Sequence, residues 1–390
     1  MHFQSTLLLS SLKNKYISYL IGGLLNFVAH NVDYINQKAV ISKPVVDMSS
    51  SYPACQKSPI SGQETLCRRA NQGLYNETVT SLHVVADAVK INVDKVIYGF
   101  DDNGQPYSTF WTLVDGITLL KKINPVLIGM IPCLENEYQS KLFLSEPWNG
   151  FSVGTYFVRI PQKDIQTQYA VYIPYFADNT FSIAYIEKEK ALCIEQRSDQ
   201  QKRGLFVALL HRLIVYAASE DASSVVPYVW GGCSFSTPND KNDFFYAQGC
   251  WHRPSQGETY QGYDCSGLIW RMAQGAGIPF VWKVSKLIGQ YCRPVDENNM
   301  LEEGDIIWFE GHTMVVASIH GNTLIEAAGY STGYGCVHCI PLSKRFAGIN
   351  TYQDLYNAYL NKQPIGLLDA QGNEFKQVSV KLLKLMPPYQ

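Results

Sequence analysis

A cysteine, a histidine and a glutamate are spaced in this chain so that they could act together on an acyl group. In Gly262-Tyr263-Asp264-Cys265-Ser266-Gly267-Leu268 the thiol comes just before Leu268, Ile269, Met272 and Ala273, whose spacing predicts a helix from Cys265 to about Gln274. A thiol at that position faces unpaired backbone N–H groups and the positive end of the helix dipole, and both favour thiolate, the nucleophilic form. Most cysteines are small buried hydrophobes, the reading kept for the others among the ten present, but the polar neighbours Asp264 and Ser266 set Cys265 apart. A nucleophile needs a base. Gly311-His312-Thr313 opens a strand directly after Gly304-Asp305-Ile306-Ile307-Trp308-Phe309, which puts an imidazole at a sheet edge facing the helix terminus. Glu326 lies 14 residues further on, in the next strand. Antiparallel pairing would bring its carboxylate to the second imidazole N–H, completing a Cys-His-Glu triad.

These residues need a domain that combines helices with an antiparallel sheet, and the pattern of the last half supplies one. Helical spacing at Leu205, Leu209, Leu213 and Tyr216 follows a polar linker at 195–203, and four closely spaced strand patterns cover 305–309, 313–319, 323–327 and 337–342. Upstream the texture is different. Short β-rich runs at 45–47, 79–86, 95–100 and 110–114, then at 126–128, 155–160, 169–173 and 181–186, are broken by turn formers and read as two successive small β modules, the first barrel-like. The expected organisation is an N-terminal segment at 1–43, β modules at 44–124 and 125–200, an α+β domain at 201–360 and a C-terminal tail at 361–390. Lys13 and Lys15 ahead of the apolar run 17–29 fit either a secretory signal or an N-terminal helix, and the run is short for a membrane span.

Composition narrows the partners. With 32 Lys plus Arg against 34 Asp plus Glu, the chain has no global positive field to gather nucleic acid or anionic membrane, so neither partner is expected, nor is a stable membrane span. Ten cysteines in 390 residues are too sparse for a disulfide scaffold, and the redox compartment stays open between cell envelope and cytoplasm. Oligomeric state is not legible.

Taken together, Tyr228-Val229-Trp230-Gly231-Gly232, Asp264-Cys265-Ser266-Gly267, Gly304-Asp305 and His312 resemble, in order, the motifs of the NlpC/P60 family of papain-like cysteine peptidases, over about 205–346. The resemblance implies a multidomain chain, with bacterial SH3-like β-barrel modules preceding an α+β papain-like NlpC/P60 catalytic domain. It implies a cysteine endopeptidase that cuts peptidoglycan stem peptides or muropeptides between γ-D-glutamate and the following diamino acid, with no cofactor and no metal. By the same resemblance Cys265 is the nucleophile, His312 the base and later acid, and Glu326 the orienting residue. Tyr228 would help bind the oxyanion. Asp264 and Ser266 would hold a free N-terminal L-Ala, with Glu64 and Tyr107 from the first β module closing that amine pocket and Ser285 on the substrate side.

Two departures from the family pattern stand out. The third catalytic position is most often His there and is Glu326 here. The segment 234–262, rich in aromatic and polar residues, is an insertion expected to overhang the cleft. They keep two other readings open, a catalytically weak protein that binds wall peptides or a partner, and an amidase or acyl transferase using the same Cys-His pair. Cys336-Val337-His338-Cys339, with Cys233, Cys250 and His252, invites a zinc reading. It is set aside because period-2 alternation sends Cys336 and Cys339 to opposite faces, leaving core cysteines and a surface His338. His320, at a turn, is taken as structural.

Overall fold

The computed structural model describes residues 34–52, 69–132, 140–220, 224–236, 239–240, 246–247, 250–251, 261–296 and 300–385. Glu64, the segment 1–33 and most of the 234–262 insertion therefore lie outside the described residues. Among those described, no helix is long and apolar enough to cross a membrane.

The first unit is one antiparallel sheet of seven strands. Their spatial order is Arg69–Leu74, Val45–Ser49, Thr109–Leu113, Ala88–Val93, Thr78–Val85, Gln37–Ile41 and Ile117–Leu119. Alternation explains its centre: in Thr78–Val85 every second side chain from Val79 to Ser81 turns inward, and the opposing Ala88–Val93 does the same from the other side of a tight turn at Ala86. Two expectations change here. The sheet already includes Gln37–Ile41, whose Ala39, Val40 and Ile41 are fully buried, so the unit begins before residue 44. Of the strand expected at 95–100 only Gly99–Phe100 forms, paired with Pro106–Tyr107.

In the second unit Lys141–Leu144 lies between Tyr156–Val158 and Ala191–Cys193, and the hairpin Gln168–Tyr175/Thr180–Glu187 stands beside it. The strand expected at 126–128 is instead a helical turn, Pro125–Ile128. Asn124 caps it by accepting from the Val126 N–H, and proline at its first position is pre-set for helix. The two units share a core in which Val40 and Tyr75 of the first pack with Leu142, Phe157 and Val171 of the second.

The last unit packs the helices Asp199–Glu220 and Cys265–Gly275 against a five-stranded antiparallel sheet ordered Val337–Pro341, Thr323–Ala327, His312–Ser318, Ile306–Phe309 and Lys381–Leu383. The fifth strand corrects another expectation. The stretch after 361 is not a tail: the hairpin Ile365–Leu368/Glu374–Val378 and the edge strand Lys381–Leu383 share one apolar core with the helix Tyr352–Leu360 and the sheet. That helix starts sharply at a capping box, in which the Thr351 hydroxyl accepts from Asp354 N–H and the Asp354 carboxylate accepts from Thr351 N–H.

Asp305 ties these pieces together. Its carboxylate is fully buried and receives Arg203 Nη1 from the first helix at 2.6 Å, Lys384 Nζ from beyond the edge strand at 2.8 Å and the Glu302 N–H at 2.9 Å. Asp305→Ala would leave Lys384 buried without this partner, and breaking such a pair costs on the order of 3 kcal/mol. The expected result is a clear fall in the urea midpoint with an unchanged m-value, while Asp94→Ala, at an exposed pair, shifts the midpoint little.

Candidate active site

Two tight backbone approaches set the position of Cys265. Asp264 is extended (φ −84°, ψ 172°) and caps the helix by accepting from the Gly267 N–H, so Cys265 is the first helical residue. The Asp264 N–H in turn donates to Gly232 O at 3.1 Å. A Cβ on Gly267 would stand 2.1 Å from Gly232 O, and one on Gly231 (φ +68°) would stand 2.5 Å from Arg69 O. Only glycine lets these chains meet. The two motifs are therefore two sides of one contact, which sets the thiol against the loop carrying Tyr228.

The same capping carboxylate is engaged on its other side. Lys283 Nζ donates to Asp264 Oδ2 at 2.9 Å and Ser266 Oγ to Oδ1 at 3.1 Å. Lys283 is buried, which alone would lower its pKa, but the Asp264 charge outweighs burial and the net shift is upward. The ammonium and carboxylate thus form a closed pair at the floor of the cleft.

The base comes from the hairpin in which Phe309 faces His312. His312 Nε2 lies 2.6 Å from Glu326 Oε2, which leaves Nδ1 as the ring nitrogen available to Cys265, whose sulfur is near enough to act on the imidazole electrostatically. Burial pulls the His312 pKa down, but the Cys265 sulfur first and the Glu326 carboxylate second push it up to about 9. At neutral pH the His312 ring is thus an imidazolium facing the Glu326 carboxylate.

Glu326 is held by more than His312. Register places it opposite His338, whose Nε2 lies 3.1 Å from Glu326 Oε1, and Arg345 Nε makes an ion pair with the same oxygen at 2.9 Å. Burial favours the protonated carboxyl, yet Arg345 and the two histidines hold the pKa of Glu326 well below the usual carboxylate range. His338 was expected as a surface residue. It faces inward, its ring edge-on to Tyr334 at 4.2 Å, because the strand turns this side chain toward the charged glutamate.

A cleft of about 570 Å³ opens over Cys265, lined by Tyr228, Asp264, Ser266, Ser285, Lys283 and Trp308 among others. Five sequence-predicted residues, Tyr228, Asp264, Cys265, Ser266 and Ser285, thus meet there, and Gly311 brings His312 to its rim. Ser285 Oγ is buried without a hydrogen-bond partner. Tyr107 is not on the cleft wall: it is exposed and packs on Tyr98 at 6.3 Å between ring centroids, and Tyr98 is the tyrosine that lines the cavity. Lys283, Tyr98, His338 and Arg345 were not anticipated as parts of the site.

No family model matches the chain, and no curated protein matches it. The structure is similar to that of an NlpC/P60 family protein from Bacillus cereus ATCC 10987, with a TM-score of 0.51 and 15% identity over 78% of this chain and 94% of that one. NlpC2 from Trichomonas vaginalis is matched over 79% of this chain and 94% of its own at 12% identity, TM-score 0.30. The peptidoglycan hydrolase RipB from Mycobacterium tuberculosis is matched over 38% of this chain and 68% of its own at 22% identity, TM-score 0.21. The B. cereus match shows that the chain has the NlpC/P60 fold.

The charge state of the pair is open to direct measurement. The His312 ring resonance, assigned by its absence in His312→Gln, should titrate near pH 9 and move down toward its ordinary value of 6.5 in Cys265→Ala. Because the folded value is the raised one, the stability gained from the charged imidazole is complete below about pH 6.5 and is lost as pH rises through about 9. A ring that titrates near 6.5 in both proteins would rule out the ion pair.

Proposed function

We propose, from this fold and this triad, that the chain is a cysteine endopeptidase that hydrolyses peptidoglycan stem peptides at the bond between γ-D-glutamate and the following diamino acid. The observation that carries the proposal is the thiol at the first turn of the Cys265–Gly275 helix, beside an imidazole that Glu326 orients. The substrate class rests on the resemblance of the motifs to those of wall peptidases. The upstream units would correspond to SH3-like modules, and Tyr98 and Arg69 give the first of them a share of the cleft wall.

The reaction follows from the geometry. Cys265 Sγ attacks the γ-glutamyl carbonyl carbon, and charge develops on its oxygen. The Cys265 N–H, at the first helical position, has no intrahelical acceptor to serve and can donate to that oxygen, as can the Tyr228 hydroxyl. His312 passes its proton to the departing amine nitrogen, the C–N bond breaks and a thioester remains. Water then attacks the thioester carbon, with His312 taking the water's proton. The C–S bond breaks, releasing the carboxylic product and restoring the thiolate and imidazolium. Throughout, Glu326 accepts from Nε2 and stabilises the charged ring. A carboxylate serves here as well as the more frequent histidine because Arg345 and His338 keep it ionised.

A free N-terminal amine is not needed in this reading. The Asp264 carboxylate that would bind it is already bonded to Lys283, Ser266 and the helix N–H. The test is mass spectrometry of L-Ala-γ-D-Glu-diaminopimelate digests under reducing conditions, with the amine free and with it acylated. Release of L-Ala-D-Glu from both forms, abolished in Cys265→Ala, is the expected outcome. Cleavage of the free-amine form alone would restore the amine pocket, and an uncut substrate in both would overturn the endopeptidase.

A further inference from the structure

The cleft over Cys265 does not end at Trp308. A second depression of about 700 Å³ shares Trp308, Glu310 and Lys381 with it and continues along Lys362, Lys376 and the 377–380 backbone. The two together form one groove, whose far wall is built by the C-terminal helix and hairpin.

Its charges are unequal. Near the thiol the ionic groups are already matched, Lys283 with Asp264 and Arg69 with Asp47 at 2.7 and 2.9 Å. Lys286, Lys362, Lys376 and Lys381 remain, and among the described residues none of them has a carboxylate within ion-pair distance. The one carboxylate lining the shared stretch is that of Glu310. Other lysines also lack a carboxylate partner, but these four stand along one groove. Lys381 is also held in place: its Nζ donates to Gly289 O at 3.0 Å and lies 4.9 Å over the Trp308 ring. An ammonium has three donors, and on this exposed side chain those left over are open to a ligand's oxygens. Beside it the buried Ser285 Oγ is likewise without a partner.

We propose that this groove is a subsite for the carboxylate-bearing end of the substrate, with Lys286, Lys362, Lys376 and Lys381 selecting a free acid over its amide. The inference rests on the proposed endopeptidase activity and names what that site prefers. Because the groove is continuous with the thiol, its occupant belongs to the same molecule as the acyl group under attack. The aliphatic walls between the lysines, at Leu360, Val378 and Val380, suit a peptide chain.

The experiment compares L-Ala-γ-D-Glu-diaminopimelate with the same peptide carrying amidated carboxyl groups. Wild type should cut the acid with kcat/KM about tenfold above the amide, the weight of one charge-assisted contact, and that preference should shrink as salt rises. Lys362→Glu/Lys376→Glu, two exposed positions distant from the thiol, should lose most of the preference through KM with kcat kept. Equal cleavage of both peptides by wild type and variant would overturn the subsite while leaving the endopeptidase intact. If neither peptide is cut, calorimetry on Cys265→Ala decides separately: binding of the acid and not the amide supports the subsite, and equal binding or none overturns it. Binding of a single-stranded oligonucleotide tighter than that of the acid peptide would also overturn it, since the groove would then be a general polyanion track.

Discussion

A carboxylate sealed away from water must be matched by cations or donors, and Glu326 meets that demand with three groups from three different elements. His312 comes from the strand on one side, His338 from the strand on the other, and Arg345 from the helical turn Leu342–Arg345 that follows. Each is within reach only if both strand registers are right. A slip of one residue would turn Glu326 to the other face and leave the imidazole without its acceptor. The orientation of the imidazole and the ionised state of the glutamate are thus consequences of one buried charge and the sheet that surrounds it, and that charge adds to the Cys265 sulfur in raising the His312 pKa.

The upstream units are bound to the last unit by polar contacts as well as a shared apolar core. Arg69–Leu74 is an edge strand with polar side chains, yet all of it is buried. The Cys233 N–H donates to Gln72 Oε1 at 3.0 Å, Ser234 Oγ to the same oxygen at 2.7 Å, and Arg271 from the Cys265–Gly275 helix pairs with Glu77 at 2.5 Å. An edge that could template aggregation is covered by the neighbouring unit, and Gln72 and the Cys233 thiol are bonded across the junction, although the Asn71 amide nitrogen is buried without a partner. The same junction brings Arg69 and Tyr98 to the cleft wall.

What could be read from the sequence follows from how far each signal reaches along the chain. Cys265, His312 and Glu326 were legible because a helix start and two successive hairpins place them by local rules. Asp264 was legible as a neighbour of the thiol, but its commitment to Lys283 was not, since nothing in Trp282-Lys283-Val284 marks that lysine as buried. Arg69–Leu74 was missed as a strand because its polar residues are buried by hydrogen bonding, which leaves no alternation to find. Val126 and Ile128 suggested a strand through their β-branched side chains, while the Asn124-Pro125 pair, a helix start, carried the decisive information. Arg345 and Tyr98 act over long sequence separations with no motif of their own. Tyr107 was chosen over Tyr98 although the two rings touch, a distinction that only packing makes.

The edge strand Lys381–Leu383 lies directly beside Ile306–Phe309, the strand that leads into the histidine hairpin. During synthesis it emerges after every other strand of that sheet. Cys265 and His312 are therefore translated well before the side of the sheet that supports Trp308 and carries Lys381 can close. Trp308 pairs with Lys381 across that edge, so the cleft wall at Trp308 rests on a contact between segments far apart in sequence and can be lost while the histidine hairpin itself stays folded.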